Sequence, residues 1–462
     1  MKYIFSLLSL LLLGDLHADV PTFKSGDRWC VLGDSITETG AYHQHVELFY
    51  LTRFPTKPID VINCGIRGDT AIGANQRLEW DCLFAQPAVI SVMLGMNDVS
   101  PSYYKYKDRP DFEKKCNERA ETYDQAMRKL TKRLLDSGAK VILIKPSIFD
   151  DTADLPSPNF PGCGEALAGL SKRVQAIADE YQVPTVDFNT PMASINAEQQ
   201  KRDPHYTIVG PDRVHPTAPG HFVMAYEFLK AQKLSGVVAR IVIDAAAGKA
   251  GPLENCEVTE LNAQPNSVSF TCLEGALPFP VATAAQPALE VVPFTRELNQ
   301  EILLVRGLVP GDYELKIDGQ KIRVFRSKEL HEGVNLAIES ETPQIKQSKM
   351  VADLLKRKWA AVAKLRSISY IEHNAWPDAK RPVDPTRISA ELDEKLKTIS
   401  GTNETWLVRL KKNYLACKEI EEDLRREMGA AVPAALQAAQ PKPHRFEIKA
   451  VESPSKFQEG SI

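Results

Sequence analysis

Four short words along the chain hold the side chains that could do chemistry. Gly33-Asp34-Ser35 offers a hydroxyl nucleophile, and Gly65-x-x-Gly68-Asp69-Thr70 offers a backbone N–H that a substrate oxygen can approach closely. Gly95-x-Asn97-Asp98 adds a side-chain amide, and Asp212-x-x-His215-Pro216 sets a carboxylate three residues ahead of an imidazole. In a loop, that spacing lets Asp212 reach Nδ1 of His215, fix its tautomer and stabilise the imidazolium formed when Ser35 gives up its proton. The N–H of Ser35, the N–H of Gly68 and the amide of Asn97 would surround the oxyanion. Nucleophile, oriented base and oxyanion donors are a full set for hydrolysing an ester. Each word alone has a plainer reading: a turn or N-cap serine, a turn glycine, an Asx-turn asparagine, a pair of solvated loop residues. Their order along one chain outweighs those readings.

The elements that must position these residues show in the alternation of apolar runs and amphipathic stretches from Trp29 to about Leu229. Strands are predicted at 29–32, 59–62, 88–94, 140–144 and 185–188, with helices between them, such as 112–136 and 167–181. This alternation implies βαβ units and a parallel sheet covered on both faces. The first three words each follow a predicted strand, at the end where open α/β sheets bind ligands. The fourth precedes a helical run from Gly220 to Lys230.

Other chemistries fit less well. There is no G-x-S-x-G elbow, no H-E-x-x-H and no phosphate-cradling glycine loop. His205, His215 and His221 match no compact zinc spacing, and no cysteine lies among them. His205 and the pair His43 and His45 are candidate substrate contacts, although surface or core positions suit them better. Arg67-Gly68-Asp69 spells an adhesion tripeptide, a coincidence in this setting. With 57 basic and 60 acidic residues and a net charge of −3, the chain lacks the balance of a nucleic-acid binder.

The ordered words resemble the SGNH, or GDSL, hydrolase family over about 20–235. The resemblance implies a flavodoxin-like three-layer α/β/α fold, with Ser35 as nucleophile, Gly68 and Asn97 completing the oxyanion hole, and Asp212 and His215 in the final block. It implies neither a metal nor an organic cofactor. The family's substrates run from acetylated sugars to lysolipids and thioesters, so the fold does not fix the substrate.

Met1-Lys2, an apolar run from Tyr3 to Leu13 and a small residue before Asp19 fit a signal peptide over 1–18, which predicts export to the periplasm or beyond. That run is too short to span a bilayer. A hydrolase domain is expected over 19–249 and a small antiparallel β module over 250–335. In the module Tyr313, Leu315 and Ile317 alternate inward, Asp318-Gly319 makes a type I′ turn, and Ile322 and Val324 resume the alternation. Among the eight cysteines, Cys256 and Cys272 flank a hairpin and are the candidate disulfide, while Cys30 and Cys64 suit buried thiols.

A helical region is expected over 336–430. Ile345, Met350, Val351, Leu354, Leu355, Trp359, Val362 and Leu365 form one apolar face, and a second helix covers 404–428. Residues 431–462 read as an extended or mobile tail. The appended parts are expected to pack on the catalytic domain and wall one side of its cleft. Trp376 is the aromatic most suited to reach a ligand. The expected function is an exported serine esterase acting on acylated carbohydrate, with O-acetyl removal first. A lysophospholipase or short-chain lipid esterase is the alternative, and a non-catalytic glycan-binding or envelope protein the rival of another class.

Overall fold

The computed structural model describes residues 18–375 and 382–451. Residues 1–17 of the proposed signal peptide, Trp376 and the last eleven positions lie outside the described residues. Five strands form a parallel sheet: β1 (Arg28–Gly33), β2 (Asp60–Gly65), β3 (Val89–Met93), β4 (Lys140–Lys145) and β5 (Thr185–Asp187). Their order is β2-β1-β3-β4-β5, the flavodoxin-like arrangement, with the switch point between β1 and β3. Trp29 to Gly33 and all of β3 are buried, the continuous apolar runs that a sheet covered on both faces needs.

The helices of this layer system are α1 (Ser35–Thr39), α2 (Tyr42–Arg53), α3 (Ala71–Asp81), α4 (Met96–Val99), α5 (Phe112–Asp136), α6 (Cys163–Tyr181), α7 (Asn189–Gln199) and α8 (Ala218–Ala231). On α5 the buried Tyr123, Met127, Leu130 and Leu134 recur at helical spacing and form its inward stripe. Helices α3, α5 and α6 pack as one layer, and α2 and α8 pack together in the other.

Beyond Ala231 come β6 (Val237–Asp244), β7 (Lys249–Ala250), β8 (Cys256–Gln264), β9 (Ser267–Glu274), β10 (Gln300–Arg306), β11 (Asp312–Ile317), β12 (Gln320–Arg326), β13 (Val334–Asn335) and β14 (Pro443–Ala450). They make a mixed sheet β13-β10-β6-β7 and an antiparallel sheet β12-β11-β14-β9-β8. The β region therefore begins before 250, and β6 runs parallel to β10. The stretch expected as a tail supplies β14, the middle strand of the antiparallel sheet. His444, Phe446 and Ile448 point inward there, with Arg445, Glu447 and Lys449 between them, so a short and charged segment masks a period-two strand.

Two local expectations in this region also change. Asp318 and Gly319 both have positive φ, as the type I′ turn requires. A register shift in the β11–β12 pair then turns Phe325, not Val324, toward the core. Cys256 and Cys272 are free thiols, as are the other six cysteines. Cys256 lies opposite Glu274 and Cys272 opposite Val258, so the two thiols are diagonal neighbours.

The remaining helices are α9 (Phe294–Leu298), α10 (Ser327–Glu332), α11 (Pro343–Ala375), α12 (Pro385–Leu396), α13 (Thr402–Glu419) and α14 (Glu421–Ala438). The single helix expected over 404–428 is thus two, broken at Ile420 without a glycine or proline. The break turns α14 back along α11, where Leu424, Ala431 and Ala435 are buried. Leu407 and Tyr414 of α13 join Ile368, Ile388 and Leu392 in a small separate core.

Helix α11 packs into the catalytic core through Val351, Leu355, Trp359 and Val362, while Met350 of the expected apolar face is exposed. Its buried face also carries two cations. Lys358 Nζ meets Glu47 Oε1 at 2.5 Å and donates to Val61 O at 3.0 Å. Arg366 is bidentate to Asp81, at 2.5 and 2.9 Å, and donates to Gly65 O at 3.0 Å. Breaking a buried pair by removing one partner typically costs about 3–5 kcal/mol. Lys358→Met is expected to lose stability on that scale in urea unfolding, and adding Glu47→Leu is expected to recover most of it.

Two buried acids meet where the sheets approach α11. Glu274 accepts from Gln344 Nε2 at 2.9 Å, and desolvation pushes its carboxyl up to about 7. Burial, and then the charge of Glu274, pushes Glu301 up further. Both folded-state pKa values lie above the unfolded ones, so the native state binds more protons between pH 4.5 and about 7. Thermal stability is expected to fall as pH rises through that window, and Glu301→Gln is expected to flatten the decline.

Candidate active site

Ser35 is the first residue of α1, directly beyond the C-terminal end of β1. Asp34 caps that helix by accepting from Ile36 N at 2.9 Å. The Asp34 carboxyl is buried, and desolvation pushes it up to about 7 despite the Ile36 N–H. A Cβ on Gly65 would sit 2.2 Å from Glu38 N, so only glycine lets α1 lie directly on the end of β2. Gly68 has φ +76°, the left-handed region that favours glycine, and the space on the side a Cβ would take is open.

The first three words are tied to one another. Asn97, near the start of α4, donates from Nδ2 to Asp69 O at 2.9 Å and reaches Asp34 Oδ2 at 3.4 Å. Asp98 Oδ1 accepts from Ala71 N at 3.0 Å, at the start of α3. Asp69 itself is held by Arg77 Nε at 2.6 Å.

The fourth word approaches from the loop before α8. Ser35 Oγ lies 2.8 Å from His215 Nε2, and His215 Nδ1 lies 2.6 Å from Asp212 Oδ2. Burial raises the Asp212 pKa, but hydrogen bonds from His215 and from the backbone of His215 and Val214 more than offset it. Its carboxyl is thereby held below the usual range, so an anion faces Nδ1 and Nε2 is left to accept from the Ser35 hydroxyl. The geometry can withdraw a proton from Ser35 and hold it. The loop is pinned by Arg213, whose buried guanidinium donates to Asp150 O, Ala153 O and Leu155 O.

The other histidines lie elsewhere. His43 is buried against Trp359 and bonded to Thr37 O, and His45 is half-buried against Phe222. Burial pulls both down to about 4. His221 is buried beside Tyr42 and pulled down to about 3, while His205 is exposed on Asp154. Among the described residues the one grouping with metal-ligand spacing is Cys30, Cys64 and Cys82, all three buried. The adhesion tripeptide is tied down at both ends, Arg67 on Glu38 and Asp69 on Arg77.

Sequence reasoning brought Ser35, Gly68, Asn97, Asp212 and His215 forward, and the fold brings all five together. It missed Arg213, Arg77, Glu38 and the contribution of Arg366. The one available signal was charge inside the words themselves, in Arg67 and Arg213.

A model of the GDSL-like Lipase/Acylhydrolase family matches residues 31–222. The solved structure of a gut microbial diltiazem-metabolizing enzyme is 31% identical, with a TM-score of 0.86 over 94% of this chain and 99% of its own. Acetylxylan esterase of Geobacillus stearothermophilus is 27% identical over 221 residues, which are 45% of this chain and 94% of that protein. A crystal structure of that esterase is 26% identical, covers 46% of this chain and 96% of its own, and gives a TM-score of 0.37. The parallel sheet and the ordered words define a hydrolase of the SGNH type. The chain belongs to the GDSL-like lipase/acylhydrolase family, a family of ester hydrolases.

Loss of one oxyanion donor commonly costs about 10²–10³ in rate. Asn97→Ala is expected to lower kcat on p-nitrophenyl acetate by that factor with little change in melting temperature. Asp212→Asn, which leaves the imidazole without its anion, is expected to cost on the order of 10⁴.

Proposed function

We propose that the protein is an exported serine esterase that removes O-acetyl groups from carbohydrate. The observation that carries the esterase reading is the relay Ser35–His215–Asp212, at 2.8 and 2.6 Å, beside the donors of Gly68 and Asn97. His215 Nε2 takes the Ser35 proton as Oγ attacks the acyl carbon. The oxyanion forms among the N–H of Ser35, the N–H of Gly68 and Asn97 Nδ2. His215 then protonates the leaving alcohol, and water, activated by the same nitrogen, releases the acid.

Carbohydrate is favoured by the openness of the relay, since the His215 and Asp212 side chains are 45% and 52% exposed. An alcohol that is part of a bulky polymer can reach such a site. Similarity to an acetylxylan esterase supports the same substrate class. Export is supported by the charged, apolar and small-residue pattern of 1–18.

The test is hydrolysis of p-nitrophenyl acetate, butyrate and octanoate, and of acetylated xylo-oligosaccharides, with Ser35→Ala alongside. Acetate preference and acetate release from the oligosaccharide, both lost in Ser35→Ala, are expected. Octanoate preference would move the assignment to lipid esters, and turnover surviving in Ser35→Ala would remove Ser35 as nucleophile.

A further inference from the structure

Arg67 stands immediately before Gly68, and its side-chain contacts with Glu38 and Tyr370 fix its head group. Nε donates to both Glu38 oxygens, at 2.9 and 3.2 Å, and Nη2 donates to Glu38 Oε1. Its backbone N–H is bound to Glu38 Oε2 at 2.5 Å. The guanidinium carbon lies 4.7 Å from the centroid of the Tyr370 ring, carried by α11. Among the described residues Nη1 has no hydrogen-bond partner. Exposure is divided unevenly, with the Glu38 side chain 2% exposed and that of Arg67 42%.

We propose that Arg67 is a specificity-determining residue that binds the hydroxyl-rich alcohol part of the ester, and that Tyr370 is its positioning residue. Glu38 is one turn beyond Ser35 on α1, so the pair sits at the rim beside both the nucleophile and the Gly68 loop. A guanidinium held on one edge by a carboxylate and on one face by a ring is already ordered before substrate arrives. It therefore loses little freedom when its remaining edge meets an oxygen acceptor. The charges of Arg67 and Glu38 cancel, so the site recognises by hydrogen bonding and suits a neutral, hydroxylated ligand. Only the full chain has this site, since Tyr370 comes from the appended helix. The inference rests on the carbohydrate esterase reading.

The test compares kcat and KM on an acetylated xylo-oligosaccharide and on p-nitrophenyl acetate. Arg67→Lys keeps a cation against Glu38 but loses the fork and the stacking. Its loss in kcat/KM is expected to be about tenfold greater on the oligosaccharide and to appear in KM, as for one charged hydrogen bond. Tyr370→Leu is expected to lose about threefold in the same selectivity, the scale of an exposed cation–π contact. Tyr370→Phe, which keeps the ring, is expected to recover it.

Equal losses on both substrates would make Arg67 a prop for the Gly68 loop and overturn the proposal. Unchanged selectivity in folded Arg67→Lys and Tyr370→Leu would overturn it as well. A wild-type protein active on p-nitrophenyl acetate but inert on the oligosaccharide would overturn the carbohydrate reading and this inference with it. That pattern is distinct from an active wild type with flat variants.

Discussion

Two guanidinium groups and two carboxylates lie buried together at the C-terminal ends of β1 and β2, and the site depends on them. Arg77 binds Asp69 and Asp81 and donates to Gly33 O at 2.9 Å and Cys64 O at 2.7 Å. Arg366 binds Asp81 and donates to Gly65 O at 3.0 Å. Burial alone would push the Asp81 carboxyl up, but the two cations hold it below its usual range. Such clusters are weak evidence for stability, because desolvation consumes much of the Coulomb gain. Their value here is positional. The three carbonyls they grip belong to the strand ends from which the Ser35 and Gly68 loops depart.

One of those guanidinium groups, Arg366, comes from the appended helix α11, and that makes the appended region part of the catalytic body. The core around the parallel sheet includes Val351, Leu355 and Trp359 of α11 and Ala435 of α14. It also includes Leu277, Phe279 and Phe294 from the β region, with Phe279 and Phe294 ringed by Phe222 and Phe49. The antiparallel sheet in turn needs β14 as its middle strand. Spatial units and sequence segments therefore do not coincide. Parts of the β and helical segments drawn along the sequence pack into the core of the parallel sheet, while the β sheets and the helices around α12 and α13 keep smaller cores of their own.

What could be seen in the sequence follows from how local each constraint is. The strands of the parallel sheet are continuous apolar runs, and the four words demand particular residue types at fixed offsets, so both are visible one-dimensionally. Lys358 and Arg366 are not. They look like the polar face of an amphipathic helix, because Glu47 and Asp81 lie 311 and 285 positions away. The turn at Ile420 lacks a breaker residue and is set by the packing of α14 on α11. Val324 fails because a bulge shifts parity, a property of a strand pair rather than of one strand.

The acids around the oxyanion donors show why these burials matter for chemistry. An oxyanion forming beside Gly68 and Asn97 would be opposed by any ionised carboxylate close by. Asp34 and Asp98 adjoin Ser35 and Asn97 in the chain, and desolvation pushes each up to about 7, toward the neutral acid. Asp69 is close as well, but its charge is bound to Arg77. Asp212 is held below the usual carboxylate range by hydrogen bonds from His215 and the backbone of His215 and Val214, and it lies on the far side of His215 from Ser35. Negative charge is thus kept where it stabilises an imidazolium and muted where it would meet the oxyanion. The same burial that orders the loops sets that division, so positioning and electrostatics here have one origin.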